Sequence, residues 1–416
     1  MKYGLIGEKL GHSFSKIIHE QLADYTYDLM PLSKEAFPGF MEARQFCAIN
    51  VTIPYKEAVL PFLDQIDRSA EAIGAVNTIV NKNGKLFGYN TDYSGFRYML
   101  ENNRINISGK KVLILGKGGA AKAIFAVVRN MNATEILTVY YRPHPDTITY
   151  EECYAKHTDA QIIINTTPVG MYPEIEKTPI CLDDFSKLEA VVDVIYNPLY
   201  TQLIIDAKKR NIPAVGGLEM LVAQAKYAAD IFLDTRMNDQ ATQRIYQSMK
   251  QERSNLSLIG MSGCGKTTLG RKVAQYLKKE FIDVDAEIVK KIGMPIQTFF
   301  SAHGEDAFRE LETQTIRGLA DKNNLVISTG DGAILNERNI DLLRMNGHII
   351  WIKRDLENLE LGKGRPLAPN LDAVTKLYET RLPLYKKYAE AVIENNTSDL
   401  DNTTLALAQA FKNLVE

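Results

Sequence analysis

Short apolar runs followed by a turn and then by residues at helical spacing recur along this chain. YGLIG (3–7) precedes FSKIIHEQLADY (14–25), and CAINVTIP (47–54) precedes YKEAVLPFL (55–63), so each pair reads as a strand followed by a helix. NTIVNKNGKLFGYN (77–90) is two strand-like runs around Asn83-Gly84, a hairpin with its turn at that dipeptide. From Lys110 the pattern is a Rossmann-like alternation: VLILG a strand, AAKAIFAVVRNM (120–131) a helix, then strands at EILTVYY (135–141), QIIINTT (161–167) and AVVDVIY (190–196). Residues 218–249 read as helices, the last of which, about 225–250, return to the first lobe. A polar stretch, 246–255, then precedes a fresh apolar strand, LSLIG, and a helix, TTLGRKVAQYL (267–277). We place a domain boundary there. Repeated strand–glycine turn–helix units predict parallel α/β sheets.

At 416 residues the chain is long enough for two to three domains, and 45% hydrophobic with 24% charged residues supplies ordinary globular cores. Lys+Arg 49 against Asp+Glu 51 leaves a net charge of -2, and neither half carries a basic excess. Nucleic acid and membrane surfaces are therefore not expected partners, and any phosphate recognition must come from local geometry. Four cysteines without a CxxC and six histidines without zinc-ligand spacing point to reduced thiols in the cytoplasm. No signal-like amino terminus and no run near the roughly 20 apolar residues of a membrane span is present. Oligomeric state is not readable.

Two glycine loops carry the candidate chemistry. In the first, Gly116, Gly118 and Ala121 fit G-x-G-x-x-[G/A] directly after a strand. Glycine permits the tight turn and backbone approach to a pyrophosphate, and the small third residue lets the helix pack on the strand. Alone the motif is equally a plain turn. The next strand ends in Tyr141-Arg142, where an acidic residue would hold the ribose hydroxyls of NAD; an arginine favours the 2′-phosphate of NADP, or is simply a solvated strand-end charge.

GLIGEKLGHSFSKIIHE, NVTIPYKE, AVNT, GYNTDYSG, GKGGAA, NTTPVGM, DVIYNPLYT and GGLEMLVAQA occur in that order over roughly residues 1–250. Together they closely resemble the shikimate dehydrogenases. The resemblance implies a two-lobed fold, with a substrate lobe over 1–103 and a Rossmann lobe over 104–224, and NADPH reduction of 3-dehydroshikimate. It makes Lys56 and Asp92 the catalytic pair; read alone they are a helix-start lysine and a helix N-cap. Ser13 and Ser15 match hydroxyls that bind the substrate carboxylate, or else cap a helix. Thr52, Asn77 and Gln224 match groups that read the ring hydroxyls, and Tyr196 lines that pocket or is a core aromatic. Gly119, Ala120, Gly217 and Met220 join Gly116, Gly118, Ala121 and Arg142 at the cofactor. Three residues depart from the family pattern: Lys16 for a proline, Lys117 inside the glycine loop, and Tyr141 for an asparagine.

The second loop, Gly260-Met-Ser-Gly263-Cys-Gly265-Lys266-Thr267-Thr268, is a complete Walker A sequence between a strand and a helix. Its backbone N–H groups would cradle a nucleoside triphosphate, with Lys266 on the β/γ oxygens and Thr267 on Mg²⁺. Asp283 and Asp285 fall at period two, on one face of a strand. FIDVDAEI, IGMPIQTFFSAHGEDAFRELE, VISTGDGAIL, GRPL and TRLPLYKKYA follow in order and resemble shikimate kinase over about 254–416. The resemblance implies a P-loop domain with a parallel sheet that takes ATP. It places Asp283 at the metal, Asp285 on the acceptor hydroxyl, Arg309 and Arg381 on the substrate carboxylate, Gly332 beside the substrate and Arg365 on the transferring phosphate. Two features depart from the family: Asp331 stands in the middle of three expected glycines, and the segment before Arg365 is short. The expected protein is bifunctional, with small-molecule substrates, reducing 3-dehydroshikimate and then phosphorylating shikimate. The alternatives are an active dehydrogenase with an inactive or regulatory ATP-binding half, an amino half that uses NAD or quinate, and a nucleotide kinase fused to another reductase.

Overall fold

The computed structural model describes residues 2–11, 13–359 and 371–416. Packing divides them into two units. The first comprises Met1–Met171, Lys177–Tyr196 and Asp206–Tyr246; the second comprises Tyr172–Glu176, Asn197–Ile205 and Gln247–Glu416. The division is thus not a single cut in the sequence. One division falls between Tyr246 and Gln247, inside the helix Gln240–Arg253, where Ile245 and Met249, four apart, are buried.

The first unit contains two sheets. β1 (Tyr3–Gly7), β2 (Tyr27–Pro31), β3 (Ala48–Val51), β4 (Gln65–Ile66), β5 (Thr78–Lys82) and β6 (Lys85–Tyr89) form one, in the order β2-β1-β3-β5-β6-β4. β5 is antiparallel to both β3 and β6, and the other pairs are parallel. Successive strand residues face opposite sides. Ile6, Ile49 and Ile79 therefore join Phe37 and Met41 of the helix Ala36–Ala43 on one face. Leu5, Ala48 and Val80 join Ala228 and Phe232 of the helix Leu218–Leu233 on the other. Each such fully buried Leu or Ile contributes about 1.5–3 kcal/mol. The β5–β6 turn sits at Asn83 and Gly84, both at positive φ (56° and 82°), as a two-residue hairpin of this hand requires.

β7 (Lys111–Leu115), β8 (Glu135–Val139), β9 (Ile162–Asn165), β10 (Ala190–Asp193) and β11 (Ala214–Val215) form the second sheet, all parallel, in the order β11-β10-β9-β7-β8. The helices Thr91–Asn102 and Gly119–Asn130 cover it through Phe96, Met99, Ile124 and Val127. In the second unit, β12 (Asn255–Ile259), β13 (Glu280–Asp283), β14 (Leu325–Ser328), β15 (Gly347–Lys353) and β16 (Ala391–Glu394) are again all parallel, in the order β13-β14-β12-β15-β16. Leu256, Leu258, Val326 and Ile349 pack there against helix residues such as Leu269, Val273 and Phe411.

Residues 55–63 do not form the expected helix. They make turns and one 3₁₀ turn, Leu60–Phe62. Pro61 would sit inside such a helix, where it lacks the N–H and clashes with the preceding turn. Among the described residues no helix is long and apolar enough to cross a membrane.

His19, in the helix Ser15–Leu22, is fully buried, stacked on Tyr27 with ring centroids 4.0 Å apart and with Nδ1 2.6 Å from the Tyr25 hydroxyl. Burial pushes its pKa down from 6.5 to about 3, against a hydrogen bond with Asn50. Between those values the unfolded chain binds the proton and the folded chain does not. The first unit should therefore lose stability as pH falls below 6.5, by up to about 1.4 kcal/mol per pH unit. His19→Phe keeps the stacked ring and should flatten that slope. Urea midpoints between about pH 5 and 7 measure it, and equal slopes in the two proteins would refute the assignment.

Candidate functional site

In the first unit the β3 strand ends in a turn that presents Lys56. Its Nζ donates to Asp92 Oδ2 at 2.5 Å. Asp92 is buried in the first turn of the helix Thr91–Asn102, where the helix dipole favours a carboxylate. It is not the cap: Asn90 is, its side chain accepting from Tyr93 N. Asn77 Nδ2 donates to Asp92 Oδ1 at 2.9 Å. The amide is oriented because Asn77 Oδ1 accepts from Thr91 N at 2.7 Å and Thr78 Oγ1 at 3.0 Å. Asn50, buried in β3, bonds Thr78 Oγ1 and the Asn77 carbonyl. Asn50, Thr78 and Thr91 were not singled out from sequence; the available signal was a polar residue inside the apolar run AINV.

The glycine loop lies against this pair. A Cβ on Gly119 would stand 3.4 Å from Lys56 Cδ, and Lys122 pairs with Glu57 at 2.8 Å. Gly116 has φ +105°, and a Cβ there would approach Thr166 Oγ1 to 2.8 Å, so the turn needs glycine. Gly118 occupies the N-cap position of the helix Gly119–Asn130 and no side chain caps it. That leaves first-turn N–H groups for an anion. Ala121 is buried and Ala120 half-buried behind the turn. Arg142 follows β8, exposed, with its guanidinium 5.0 Å from the centre of the Tyr141 ring. Lys117 Nζ lies 2.7 Å from His144 Nδ1.

The remaining candidates of the first unit are spread over both of its sheets. Ser15 begins its helix and its N–H bonds Ser13 Oγ at 3.3 Å, so the pair forms a local turn rather than a side-chain cap. Tyr196 packs on Phe14, the residue between the serines, with centroids 5.3 Å apart. Thr52 N bonds the Ile6 carbonyl, and its Cγ2 fills the space beside Gly7. Gln224 lies where the helices Leu218–Leu233 and Thr91–Asn102 cross, tightly enough that a Cβ on Gly95 would come 2.8 Å from Gln224 N. Met220 is buried in the second-sheet core, and Gly217 starts its helix hard against the Val194 carbonyl. Lys16 departs from the family pattern without entering the pair: it bonds Glu20 and the Tyr27 carbonyl.

In the second unit, Gly260, Gly263 and Gly265 all take positive φ (148°, 81° and 98°) between β12 and the helix Lys266–Leu277. Side chains would collide with the Ile352 carbonyl at Gly260 and with Asn395 at Gly265. Lys266 Nζ donates to the Gly260 and Met261 carbonyls at 2.8 and 3.0 Å. Thr267 Oγ1 donates to Asp283 Oδ2 at 2.8 Å, and Thr268 follows it in the helix. Asp283 and Asp285 do not share a strand face. Asp283 ends β13 and caps the helix Val284–Ile292 through Ala286 N, so Asp285 falls in that helix's first turn. Burial, with Asp283 adding to it, pushes the Asp285 carboxyl up to about 6 against the pull of Lys266. A cavity of about 490 Å³ is lined by the glycine loop, Lys266, Thr267, Asp283, Asp285 and Asp331.

Beside that cavity Arg309 donates to Glu312 at 2.9 Å and to Glu305 at 3.0 Å. Glu312 is fully buried, and burial pushes its carboxyl up to about 7 despite Arg309. It was missed from sequence because nothing in HGEDAFRELE marks which carboxylate turns inward. Arg381 is buried and donates to Asp331 Oδ2 at 2.8 Å. A Cβ on Gly330 would stand 2.9 Å from Asp285 Oδ1, and one on Gly332 would collide with the Arg309 guanidinium. The 330–332 backbone is therefore pressed between the acid and the base. Arg365 lies outside the described residues. Among the described residues no three His, Cys, Asp or Glu side chains form a metal cluster of their own.

Two family models match the chain: "Shikimate dehydrogenase substrate binding domain" over residues 5–79 and "Shikimate kinase" over residues 262–412. A shikimate dehydrogenase (NADP(+)) of Clostridium beijerinckii is 39% identical over 267 residues, 60% of this chain and 98% of the relative. The crystal structure of a chorismate mutase/shikimate 5-dehydrogenase fusion protein from Clostridium acetobutylicum has 34% identity and a TM-score of 0.57, covering 60% of this chain and 97% of that one. That of shikimate 5-dehydrogenase from Thermus thermophilus in complex with NADP(H) and shikimate has 27% identity and a TM-score of 0.55, covering 60% and 99%.

The tight start of the Leu218–Leu233 helix gives a stability test. Gly217→Ala forces a methyl onto the Val194 carbonyl and should cost the first unit about 1–3 kcal/mol. Gly39→Ala, inside the helix Ala36–Ala43 with open space at the Cβ, should instead gain about 0.5–1 kcal/mol. Denaturant titration of each variant reads both signs, and a neutral Gly217→Ala would show that the contact relaxes freely.

Proposed function

We propose that this chain, which belongs to the shikimate dehydrogenase family over its first 60% and carries a shikimate kinase domain over residues 262–412, performs two consecutive reactions on one ring. The first reduces 3-dehydroshikimate to shikimate, and the second phosphorylates the shikimate 3-hydroxyl. The observation that carries the first is Lys56, hydrogen-bonded to Asp92 at 2.5 Å while its stem lies against Gly119 of the dinucleotide-type turn. It sets a proton donor at the spot where the two sheets of the unit offer a substrate and a cofactor to each other.

The residues fit the groups the family uses. The Gly116 turn and the uncapped Gly118 end suit a pyrophosphate, and Arg142 suits a 2′-phosphate. The Gly260–Thr268 loop suits a triphosphate, and the bonded Thr267–Asp283 pair suits a Mg²⁺ ion, which commonly takes few protein ligands beside phosphate oxygens. When bound, NADPH supplies the hydride and Mg·ATP the transferable phosphoryl group. Lys56 gives its proton to the carbonyl oxygen as that oxygen becomes a hydroxyl, and Asp92 keeps the ammonium aimed. Asn77 holds Asp92 in turn. Ser13 and Ser15 bind the carboxylate, while Thr52, Asn77, Tyr196 and Gln224 read the ring hydroxyls, which rejects analogues that lack them. In the second unit Lys266 moves from the loop carbonyls to the phosphates. Asp285 orients the acceptor hydroxyl and takes its proton, and Arg309 and Arg381 hold the carboxylate beside Gly332. We assign Arg365 to the transferring phosphate and the whole reaction sequence to the cytoplasm, where free thiols such as the four here persist.

Purified full chain given 3-dehydroshikimate, NADPH, ATP and Mg²⁺ should release shikimate 3-phosphate. Lys56→Ala should lower the reduction kcat by about 10²–10⁴ and spare phosphorylation of added shikimate. Lys266→Ala should do the reverse. Mass spectrometry of the product and the NADPH absorbance follow the two steps separately. A Lys56→Ala protein with undiminished reduction, or a Lys266→Ala protein with undiminished phosphorylation, would place that chemistry elsewhere.

A further inference from the structure

The two arginines assigned to the substrate carboxylate are already engaged by carboxylates of the protein. Arg309 holds Glu305 and Glu312, and Arg381 holds Asp331 through Nη1 at 2.8 Å. Those engagements differ in kind. Glu312 has no exposed surface and lies on the same helix as Arg309, three residues on, so it is a fixed support. Asp331 lies on a loop, its side chain 27% exposed, and it lines the cavity shared with Lys266 and Asp285. The arginine it meets is 1% exposed, and Arg381 Nε finds no partner among the described residues. Asp331 thus lines the cavity while it bonds a buried cation whose Nε is unpartnered among the described residues.

The loop makes this placement specific. Gly330 and Gly332 are pinned against Asp285 and Arg309 where side chains do not fit, which leaves the middle position as the one that can project a side chain. The Tyr385 hydroxyl, 3.4 Å from the Asp331 carbonyl, braces the same residue from the Arg381 helix. Although burial pushes the Asp331 carboxyl up, Arg381, Lys266 and Arg309 hold it below the usual carboxylate range, so it stays anionic under assay conditions.

We infer that Asp331 is an internal carboxylate that competes with the carboxylate of the acceptor for Arg381, and so sets the affinity and acid specificity of the phosphorylation site. The inference rests on the kinase reading above. An acid entering the cavity meets an arginine neutralised by its own neighbour and must displace Asp331 before it gains a paired guanidinium. An acceptor with no carboxylate has no such exchange to make.

The test compares full-length wild type, Asp331→Asn and Asp331→Gly in shikimate-dependent ADP release, with shikimate and its methyl ester as acceptors. Asparagine keeps an acceptor oxygen for Arg381, so one variant retains the packing if glycine disturbs it. The KM for shikimate should fall about tenfold in either variant, the equivalent of roughly one hydrogen bond to a charged group. The KM for the ester and for ATP should stay within about twofold of wild type, which a general loosening of the pocket would not produce. Wild-type turnover with an unchanged or raised shikimate KM in both variants would overturn the inference and leave the kinase reading standing. Absence of shikimate-dependent ADP release in all three proteins would overturn the kinase reading, and the inference with it. Release that appears only once Asp331 is replaced supports the inference in its strongest form.

Discussion

An ammonium and a carboxylate 2.5 Å apart, both largely removed from water, are the constraint around which the first unit is arranged. Neither group can be left alone there. A buried ion without its partner costs several kcal/mol, so Lys56 and Asp92 stand or fall together. Asp92 is further tied to Asn77, Asn77 to Thr78 and Thr91, and Thr78 to Asn50, so one polar network runs from a central strand to a helix start. The strand order, with β5 beside β3, brings the network together. The antiparallel register sets Asn50 opposite Thr78, next to the residue that must hold Asp92. What the pair can do is fixed by a neighbour outside that network: the Gly119 turn, whose lack of a side chain leaves the Lys56 stem room beside it.

In the second unit the constraint is different, because charge of both signs is crowded round a loop with little room. Asp283, Asp285, Glu312 and Asp331 share the space round the 330–332 backbone with Lys266, Arg309 and Arg381. Two of the carboxyls, Asp285 and Glu312, are pushed up by burial, while Asp331 is held down by its arginine. Groups that share one desolvated space are tuned by each other. A change at one position, such as the side chain between two glycines, is felt at an arginine fifty positions away in the chain.

Much of this was legible in the residues. Hydrophobic runs located the first strands of both glycine-loop units, and Asn83-Gly84 fixed the hairpin because few other residue pairs take positive φ twice. The order of short motifs named both halves. The failures share a cause: pattern reports which face a residue prefers, not what else competes for the backbone. Pro61 turned an apparent helix into a turn, and Asp283 used its own carboxylate to start a helix where period-two spacing suggested a continuing strand. The polar run before Asn255 carried no sign of the helix Gln240–Arg253 that it ends, and one division between the units falls at its start, after Tyr246. The division of the chain was the least legible feature. Tyr172–Glu176 and Asn197–Ile205 pack with the second unit, through contacts such as Glu176 with Arg317 and Arg338. Nothing local in those stretches distinguishes them from the Rossmann pattern around them.

Fusion changes which variables remain for balancing two reactions. Separate enzymes are balanced by their amounts, but one chain supplies both active sites in equal number. The flow through the pair then depends on the constants of each site, and a phosphorylation site that binds its acid weakly responds in proportion to the product of the reduction step. On the reading proposed above, a carboxylate seated on Arg381 is a direct way to set that constant. Asp331 belongs to a different segment from the glycines of the triphosphate loop, with which it lines one cavity. The departure from three consecutive glycines therefore need not be read as decay of the site. Arg381, the Glu312 carboxylate that supports Arg309 and the glycines that flank Asp331 stand together around it.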